Sequence, residues 1–245
     1  MKTPCKLAAV ILAAGRGKRM KSELPKVLHE VGGRPMVHWV VDTAREIGAD
    51  PIVLVVGLGR EQVKASLKGT GVAFVLQDKP LGTAHAVEQT RPLLADFDGE
   101  IMVLSGDVPG VSPQTIRNLC RRHKQTGARA TMLTAELDDP TGYGRVIKDA
   151  DGHLLRVVEE KDATEEERAI HEVNGGVYVF DARTLFDTLP QVQNQNKQNE
   201  FYLPDVLYIL QEQTQIVAVE KADYKEILGI NTEEELRKVH AEVFN

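Results

Sequence analysis

Apolar residues in the first half of the chain follow two patterns in turn, continuous runs and a helical repeat. The continuous runs predict strands that are buried on both faces of a sheet. They cover residues 7–12, 52–57, 72–77, 101–107 and 130–137. Helical spacing predicts helices over residues 36–48, 60–67, 82–94 and 113–126. Strands that alternate with helices predict an α/β protein with a Rossmann-like, mostly parallel sheet flanked by helices.

The pattern becomes less regular after about residue 139. Residues 145–160 predict a hairpin that turns at Asp151 and Gly152, and an acidic polar stretch follows it. The remaining predicted elements are a strand over 173–180, a short helix over 203–210, a strand over 216–220 and a charged helix from about residue 232. Because no Pro/Gly/Ser-rich linker interrupts the chain, we predict one domain over residues 1–230. Residues 231–245 would form a terminal helix of that domain or the start of a linker.

Composition and charge narrow the classes of function. The chain has 245 residues and a net charge of −6, which argues against a surface that grips nucleic acid. No apolar run is long enough to span a bilayer, so we expect no membrane partner. Cys5 and Cys120 are far apart and in no metal-ligand spacing, which predicts reduced thiols in a cytoplasmic protein.

The segment after the first predicted strand, LAAGRGKRMKSELPKVLH at residues 12–29, combines glycines with cations. Its glycines allow close approach to a ligand, and backbone amides can cradle phosphate oxygens. The spacing fits neither a P-loop nor a dinucleotide fingerprint. A triphosphate that loses pyrophosphate needs several cations, whereas the alternative is a turn with solvated lysines. The cations are Arg16, Lys18, Arg19, Lys21 and Lys26.

Motifs in this loop and beyond it closely resemble the signature of sugar-nucleotide pyrophosphorylases. The loop reads LAAGxGxRMxSxxPKVL over residues 12–28. The later motifs are QDxPLGTAHA at 77–86, SGDxP at 105–109, GYGR at 142–145, ExKDA at 159–163, Asn174, and GxNT at 229–232. Within this family, the whole chain is most similar to the bacterial uridylyltransferase domains that make UDP-N-acetylglucosamine.

The resemblance implies transfer of UMP from UTP to N-acetylglucosamine 1-phosphate, with release of pyrophosphate. It also implies a smaller β-rich lobe that binds the sugar. The attacking phosphate is already ionised, so catalysis would rest on alignment and charge neutralisation, with Arg19, Lys26 and Asp107 as catalytic residues. The side chain of Gln77 presents a donor and an acceptor, as the edge of uracil requires. The implied nucleotide-binding residues are Leu12, Ala13, Ala14, Gly15, Lys26, Gln77, Gly82, Thr83, Ser105 and Gly106.

Mg²⁺ is the implied cofactor, with Asp107 and Asn231 as its protein ligands. Asp107 follows a buried strand, where open α/β sheets bind ligands, and Mg²⁺ needs few protein ligands beside phosphates. Two alternatives stay open: Asp107 could cap a turn, and Asn231 could cap the last helix, with Glu234 three residues on.

On the sugar side the resemblance assigns Gly144, Glu159, Asn174 and Asn231. Glu159 could instead belong to a solvated acidic run, and Asn174 could be a strand-edge residue. The family commonly has a hydroxyl residue where Lys18 stands and Thr where Gly175 stands, which affects one phosphate contact and one sugar contact.

Other candidate metal ligands are weaker. Asp149 and Asp151 match a DxD metal motif but lie at the predicted hairpin tip, where we favour a turn. His29, His38 and His85 form no ligand set by spacing, so we predict no metal there.

Bifunctional relatives in the family continue into a left-handed β-helix with acetyltransferase activity, and these residues contain no hexapeptide repeats. Without a β-helix we expect a monomer, although the sequence leaves the oligomeric state open. Two other functions also stay open. One is a pyrophosphorylase for another pair, such as dTTP with glucose 1-phosphate or CTP with another phosphate. The other is a module that senses nucleotide without turnover.

Overall fold

The computed structural model describes residues 6–15 and 17–244 of the chain. Its strands are β1 (Leu7–Ala13), β2 (Glu30–Val31), β3 (Arg34–Pro35), β4 (Ile52–Val56), β5 (Ala73–Leu76), β6 (Glu100–Ser105), β7 (Ala130–Glu136), β8 (Arg145–Lys148), β9 (Leu154–Val158), β10 (Glu172–Asp181) and β11 (Val217–Lys221). Its helices are α1 (Met36–Glu46), α2 (Arg60–Ser66), α3 (Thr83–Glu88), α4 (Arg91–Leu94), α5 (Pro113–Thr126), α6 (Glu165–Arg168), α7 (Ala182–Thr188), α8 (Asp205–Glu212) and α9 (Glu233–Val243).

One large mixed sheet organises these elements, in the order β11-β7-β10-β6-β1-β4-β5. Parallel pairs join β1 to both β4 and β6, β4 to β5, and β7 to β11. Strand β10 lies antiparallel between β6 and β7, and the β8–β9 hairpin attaches to it through β8. The predicted mostly parallel sheet flanked by helices is confirmed. The insertion of β10 was not predicted, because pairing between strands distant in sequence leaves no local pattern.

The continuous apolar runs correspond to strands that are covered on both faces. Alternate residues of β1 belong to two separate hydrophobic clusters. Ile11 packs in the cluster that contains Val40 of α1, and Val10 packs in the cluster that contains Val87 of α3. Because both faces of the strand exclude water, its sequence is a continuous apolar run and does not alternate between apolar and polar residues.

Helix ends follow local capping chemistry where the sequence supplies it. Helix α5 matches its predicted range, since the Ser112 hydroxyl accepts the Thr115 N–H at 3.1 Å and Gly127 ends the helix with φ +65°. The single helix predicted over 82–94 is wrong. It breaks after Glu88, and α4 begins anew with Pro92 in its first turn, where the missing N–H is tolerated.

Helix α9 packs against the first half of the chain. Val239 is buried in the same cluster as the residues of α1, and the rings of Phe244 and Trp39 are 4.9 Å apart. The Gly32 N–H also donates to Nδ1 of His240 at 3.1 Å. In the part of the chain that the structure describes, no helix has both the length and the apolarity to cross a bilayer.

Gly175 lies in β10 at a point that leaves no room for a side chain. A Cβ there would be 2.8 Å from Cγ2 of Ile227 and 3.0 Å from the carbonyl oxygen of Leu133. Ile227 is itself buried. A side chain at this position would force Ile227 to shift, which agrees with glycine standing where the family commonly has threonine.

We expect the Gly175→Ala substitution to lower the free energy of unfolding by about 1–3 kcal/mol, the usual effect of overpacking a core. Gly229→Ala is the matched control, because the nearest heavy atom to its Cβ would be 3.8 Å away. Urea denaturation of both variants measures the difference. Equal midpoints for Gly175→Ala and the parent would contradict this packing argument.

Candidate active site

A cavity of about 890 Å³ opens at the carboxyl ends of β1 and β6. Parallel sheets commonly bind ligands at this edge. The predicted site residues that line it are Leu12, Ala14, Gly15, Lys26, Gln77, Gly82, Thr83, Ser105 and Asp107. Two predicted nucleotide-binding residues lie behind this surface: Ala13 packs in the core, and the Gly106 N–H donates to the Leu12 carbonyl at 2.9 Å.

Glycine allows the first loop to fold closely over Lys26. Gly17 has φ +57°, and a Cβ at this position would be 2.8 Å from Cβ of Lys26. At Gly15 a Cβ would be 3.9 Å from Cε of the same lysine. The Lys26 side chain therefore runs beside the backbone that the motif predicts to hold phosphate. Arg16 lies outside the described residues, and so does the side chain of Lys18.

Three polar side chains converge at the rim of the cavity, and we call them the Lys26–Asp107–Asn231 cluster. The Lys26 ammonium donates to Oδ2 of Asp107 and, at 3.0 Å, to Oδ1 of Asn231. The Lys26 and Asp107 side chains are only 13% and 20% exposed. The Ile230 N–H donates to the Asp107 carbonyl at 3.0 Å, which fixes the Asn231 segment against the end of β6.

The cluster fits a Mg²⁺ ion as well as an ammonium. Oxygens of Asp107 and Asn231 reach the same atom, Nζ of Lys26, so both can approach one cation. Carboxylate and amide oxygens are ligands that Mg²⁺ accepts, and it is commonly bound by one or two carboxylates beside phosphates. The donor set therefore agrees with the predicted metal residues.

A second acidic group lies at the β8–β9 turn. Ligand atoms of Asp149, Asp151 and His153 lie within 4.8 Å of one another. However, Oδ1 of Asp149 accepts the backbone N–H groups of Asp151 at 3.0 Å and His153 at 2.8 Å. The Asp149 carboxylate thus organises the hairpin turn, which supports the turn interpretation of the DxD motif.

The alternative role of Asn231 as a helix cap is wrong. Thr232 is the N-cap of α9: its hydroxyl accepts the Glu235 N–H at 3.1 Å, and the Glu235 carboxylate accepts the Thr232 N–H at 3.0 Å. This capping box begins one residue later than the sequence suggested and uses Glu235 in place of Glu234. The Asn231 side chain binds Lys26 instead. The Asp107 carboxylate is likewise directed to Lys26 and not to a turn.

Gln77 and the 82–83 segment form the opposite end of the cavity. Nε2 of Gln77 is 3.0 Å from the Gly82 carbonyl and 3.0 Å from Nδ1 of His85. Gly82 has φ +116°, and a Cβ there would overlap the backbone of Phe201. The Thr83 hydroxyl accepts the Leu203 N–H at 2.9 Å. Gln77 therefore does not present a free donor beside its acceptor, and only its amide oxygen remains for a ligand.

Three of the predicted sugar residues, Gly144, Glu159 and Asn174, meet where β8 and β9 join β10. The fourth, Asn231, lies in the Lys26–Asp107–Asn231 cluster. The Asn174 N–H donates to the Gly144 carbonyl at 2.9 Å, and a Cβ at Gly144 would be 3.2 Å from Oε1 of Glu159. The Asn174 amide oxygen accepts the Gly176 N–H at 3.0 Å and the Tyr178 hydroxyl at 2.9 Å. The Asn174 side chain thus holds an irregularity in β10, where the register with β7 shifts.

These sugar-side residues do not line the main cavity. Glu159 lines a neighbouring cavity of about 610 Å³, together with Asp162, Tyr202 and Asp205. Burial first, and then the charges of Asp162, Asp205 and Glu200, raise the pKa of Glu159 to about 7. The pKa of Asp205 is raised to about 6, by burial and then by Asp162.

Sequence reasoning assigned no role to three charged residues of the cavity. Lys79, Lys161 and Glu200 line the main cavity. Lys161 stands in the ExKDA motif but was given no role, and the surroundings of Glu200 carry no recognisable pattern. Arg19 is exposed on a short 3-10 turn whose next residue, Met20, is buried. Arg19 is not one of the described residues that line the cavity.

A cleft at the carboxyl ends of parallel strands, with a lysine, a carboxylate and an amide oxygen at its rim, is typical of an enzyme that binds and transfers part of a nucleotide. Residues 9–205 match the MobA-like NTP transferase domain, and the chain belongs to this family. The family predicted from the motifs is a nucleotidyltransferase family, and that assignment is confirmed.

Relatives of known sequence support the same assignment. The chain is 50% identical over 224 residues to the bifunctional protein GlmU of Geobacillus thermodenitrificans, which covers 91% of this chain and 49% of that protein. It is 48% identical over 224 residues to the bifunctional protein GlmU of Bacillus cereus strain G9842, with the same coverage. The chain therefore spans about half the length of these curated relatives.

A solved structure shares the fold. A Bacillus anthracis crystal structure, assigned as a glucose-1-phosphate thymidylyltransferase, superposes with a TM-score of 0.79. The match covers 98% of this chain and 96% of the other at 19% sequence identity. At this identity the likeness establishes the fold alone.

Two neighbouring residues have different roles: Thr232 caps α9, and Asn231 belongs to the Lys26–Asp107–Asn231 cluster. We expect Thr232→Ala to lower the free energy of unfolding by about 1 kcal/mol through loss of the cap, with an unchanged Mg²⁺ requirement. We expect Asn231→Ala to raise the Mg²⁺ concentration needed for the half-maximal rate of nucleotidyl transfer, while the helix keeps its cap. Melting temperatures and Mg²⁺ titrations of both variants measure the two effects. A Mg²⁺ requirement that is the same in Asn231→Ala as in the parent would remove Asn231 from the metal site.

The raised pKa of Glu159 predicts a pH-dependent stability. Its ordinary pKa is 4.5, and the folded value is about 7. Between these values the unfolded chain loses the proton more readily, so stability falls as the pH rises towards 7. We therefore expect Glu159→Gln, which carries no charge, to melt above the parent at pH 8, and the difference to shrink towards pH 4.5.

Glu160→Gln is the neighbouring control. Glu160 is 2.8 Å from the buried guanidinium of Arg145. Burial acts to raise the pKa of Glu160, but hydrogen bonds from the Gly142 N–H and Arg145, with the charges of Arg145 and Arg168, together lower it. We expect this variant to melt below the parent at pH 8. A Glu159→Gln difference that does not change with pH would show that Glu159 is ionised normally.

Proposed function

We propose that the chain transfers UMP from UTP to N-acetylglucosamine 1-phosphate and releases pyrophosphate. The observation that carries the proposal is the Lys26–Asp107–Asn231 cluster at the rim of a cavity whose opposite end holds Gln77. The GlmU relatives support the same reaction through their sequence identity along most of this chain. The substrates are therefore a nucleoside triphosphate and a sugar phosphate, and the particular pair is UTP with N-acetylglucosamine 1-phosphate.

Catalysis in this proposal is the alignment of two anions. The sugar phosphate oxygen is an ionised nucleophile, so no general base is needed, and the protein must offset the charge brought together. Asp107 and Asn231 would hold Mg²⁺, which supplies positive charge to the triphosphate. Lys26 runs beside Gly15 and would place its ammonium on the phosphates. Arg19 would approach from the short 3-10 turn as pyrophosphate leaves.

The remaining predicted residues position the two substrates. The backbone from Leu12 to Gly15, with Ser105 and Gly106, would hold the nucleotide, and Gln77 with the 82–83 segment would contact the base. Gly144, Glu159, Asn174 and Asn231 would contact the sugar. This reaction needs no nucleic acid or membrane, and we place the protein in the cytoplasm as a monomer. We also assign α9 to the same domain, since it shares a hydrophobic cluster with α1.

A substrate panel tests the function directly. The chain is assayed for pyrophosphate release with UTP, dTTP, CTP and GTP, each paired with N-acetylglucosamine 1-phosphate and with glucose 1-phosphate. We expect the highest kcat/KM for UTP with N-acetylglucosamine 1-phosphate, and a requirement for Mg²⁺. A higher value for another pair would make the protein a different pyrophosphorylase. Nucleotide binding without release in any pair would make it a sensing module.

The role of Arg19 gives a sharper test of the mechanism. We expect Arg19→Ala to lower kcat by about 10²–10³ with little change in the KM for UTP, because its charge matters most as pyrophosphate leaves. Lys21→Ala removes another exposed cation from the same loop and is the matched control, with near-parental kcat expected. Turnover by Arg19→Ala within a few-fold of the parent would exclude Arg19 from the departure of pyrophosphate.

A further inference from the structure

The amide of Gln77 is held by two partners that come from the turn and helix after it. Its Nε2 atom is 3.0 Å from the Gly82 carbonyl oxygen and 3.0 Å from Nδ1 of His85. Gln77 is 5% exposed, so its polar atoms depend on protein partners or on a ligand. Gln77 lines the main cavity and also a smaller cavity beside it.

The chemistry of these partners fixes the orientation of the amide. A carbonyl oxygen accepts hydrogen bonds but cannot donate them, so the atom that faces Gly82 must be the amide nitrogen. Its second hydrogen points to Nδ1 of His85, which must therefore be an acceptor. With both hydrogens engaged, the Gln77 oxygen is the atom left to meet a ligand.

His85 can accept at Nδ1 only as a neutral ring with its proton on Nε2. Burial lowers the pKa of His85, against a smaller opposing effect of Glu88, which favours the neutral form at pH 7. Nε2 of Gln89 is 3.3 Å from Nε2 of His85 and 3.0 Å from the His85 carbonyl. Because the ring has one acceptor nitrogen, the Gln89 amide bonds the carbonyl, and its contact with the ring is not a hydrogen bond.

We propose that His85 is a positioning residue that, together with the Gly82 carbonyl, fixes the Gln77 oxygen towards the cavity and thereby sets pyrimidine selectivity. The ring N3 of uracil or thymine carries a hydrogen that this oxygen can accept. The N3 of cytosine carries a lone pair, which the oxygen repels. A rotated amide would instead offer its NH₂ group to cytosine. This inference rests on the proposed role of Gln77 at the base.

Removing the acceptor on His85 should weaken this selection. In His85→Leu one buried amide hydrogen loses its partner, so the rotated amide becomes less unfavourable. The expected result is a roughly tenfold fall in the preference for UTP over CTP, the effect of one hydrogen bond. His85→Asn places Oδ1 at the same distance along the side chain as Nδ1, and we expect it to restore the preference. Gln89→Leu, which alters the other side of the ring, should leave the preference unchanged.

The measurement is the ratio of dissociation constants for UTP and CTP, by competition against a fluorescent UTP analogue, together with kcat/KM for both nucleotides. Melting temperatures show whether each variant folds. If His85→Leu melts far below the parent, His85→Phe, a ring without an acceptor, takes its place. A merely structural role for His85 predicts equal losses for UTP and CTP and no rescue by His85→Asn, and that result would overturn the inference.

Gln77→Leu separates this inference from the proposed function. If Gln77→Leu changes the UTP/CTP ratio and His85→Leu does not, the inference about His85 is wrong while the base site stands. If neither variant changes the ratio, Gln77 does not contact the base and both assignments fall. If the parent uses dTTP in place of UTP, the proposed substrate is wrong. The ratio of dTTP to CTP then tests His85 in the same way, since thymine carries the same N3–H.

Discussion

The contact on which the site depends is the ammonium of Lys26 between the oxygens of Asp107 and Asn231. In the sequence, Asp107 is 81 residues and Asn231 is 205 residues from Lys26. A largely buried carboxylate is unfavourable unless a cation accompanies it, so Lys26 lets Asp107 stand at the end of a buried strand. These contacts hold the first loop, the end of β6 and the segment before α9 together. The proposed triphosphate would need positive charge at this same position, which Lys26 or a bound metal ion would supply.

The position of β10 brings the two proposed binding regions close together. Because β10 pairs with β6, the strand that leads to Asp107 lies beside the strand that carries Asn174. The Ser105 hydroxyl donates to the Gly176 carbonyl at 3.3 Å, which ties the two strands together at the cavity edge. Two adjacent glycines in β10 allow this approach. A Cβ at Gly176 would be 3.0 Å from Oγ of Ser105, and Gly175 packs against Ile227.

Features with a local cause could be predicted from the sequence, and features set by distant contacts could not. The strand β4 and the helix α5 follow from an apolar run and from Ser112 and Gly127 at the helix ends. The sequence left Asn231 open as a cap of α9 because Asn231 and Thr232 are both good caps. The structure uses Thr232 with Glu235, while the Asn231 side chain contacts Lys26, far away in sequence. The motifs located residues that line the main cavity, among them Gln77, Gly82 and Thr83. The orientation of the Gln77 amide depends on a carbonyl and a ring nitrogen, which no spacing rule describes.

Charge is divided along the cleft in the way that the proposed sugar phosphate requires. The main cavity is lined by more cations than carboxylates: Lys26, Lys79 and Lys161 against Asp107 and Glu200. The neighbouring cavity is lined mainly by carboxylates, those of Glu159, Asp162, Glu167 and Asp205, with the cation Arg156. A phosphate is attracted to the first cavity and repelled by the second, whereas sugar hydroxyls can bond to carboxylates. Burial raises the pKa of Glu159 to about 7, so the protonated carboxyl, which can donate as well as accept a hydrogen bond, is more accessible there than at an exposed glutamate. Burial of Glu159 therefore has two effects. It lowers the free energy of unfolding when the carboxyl is ionised, and it lets the carboxyl act as both donor and acceptor towards the proposed sugar.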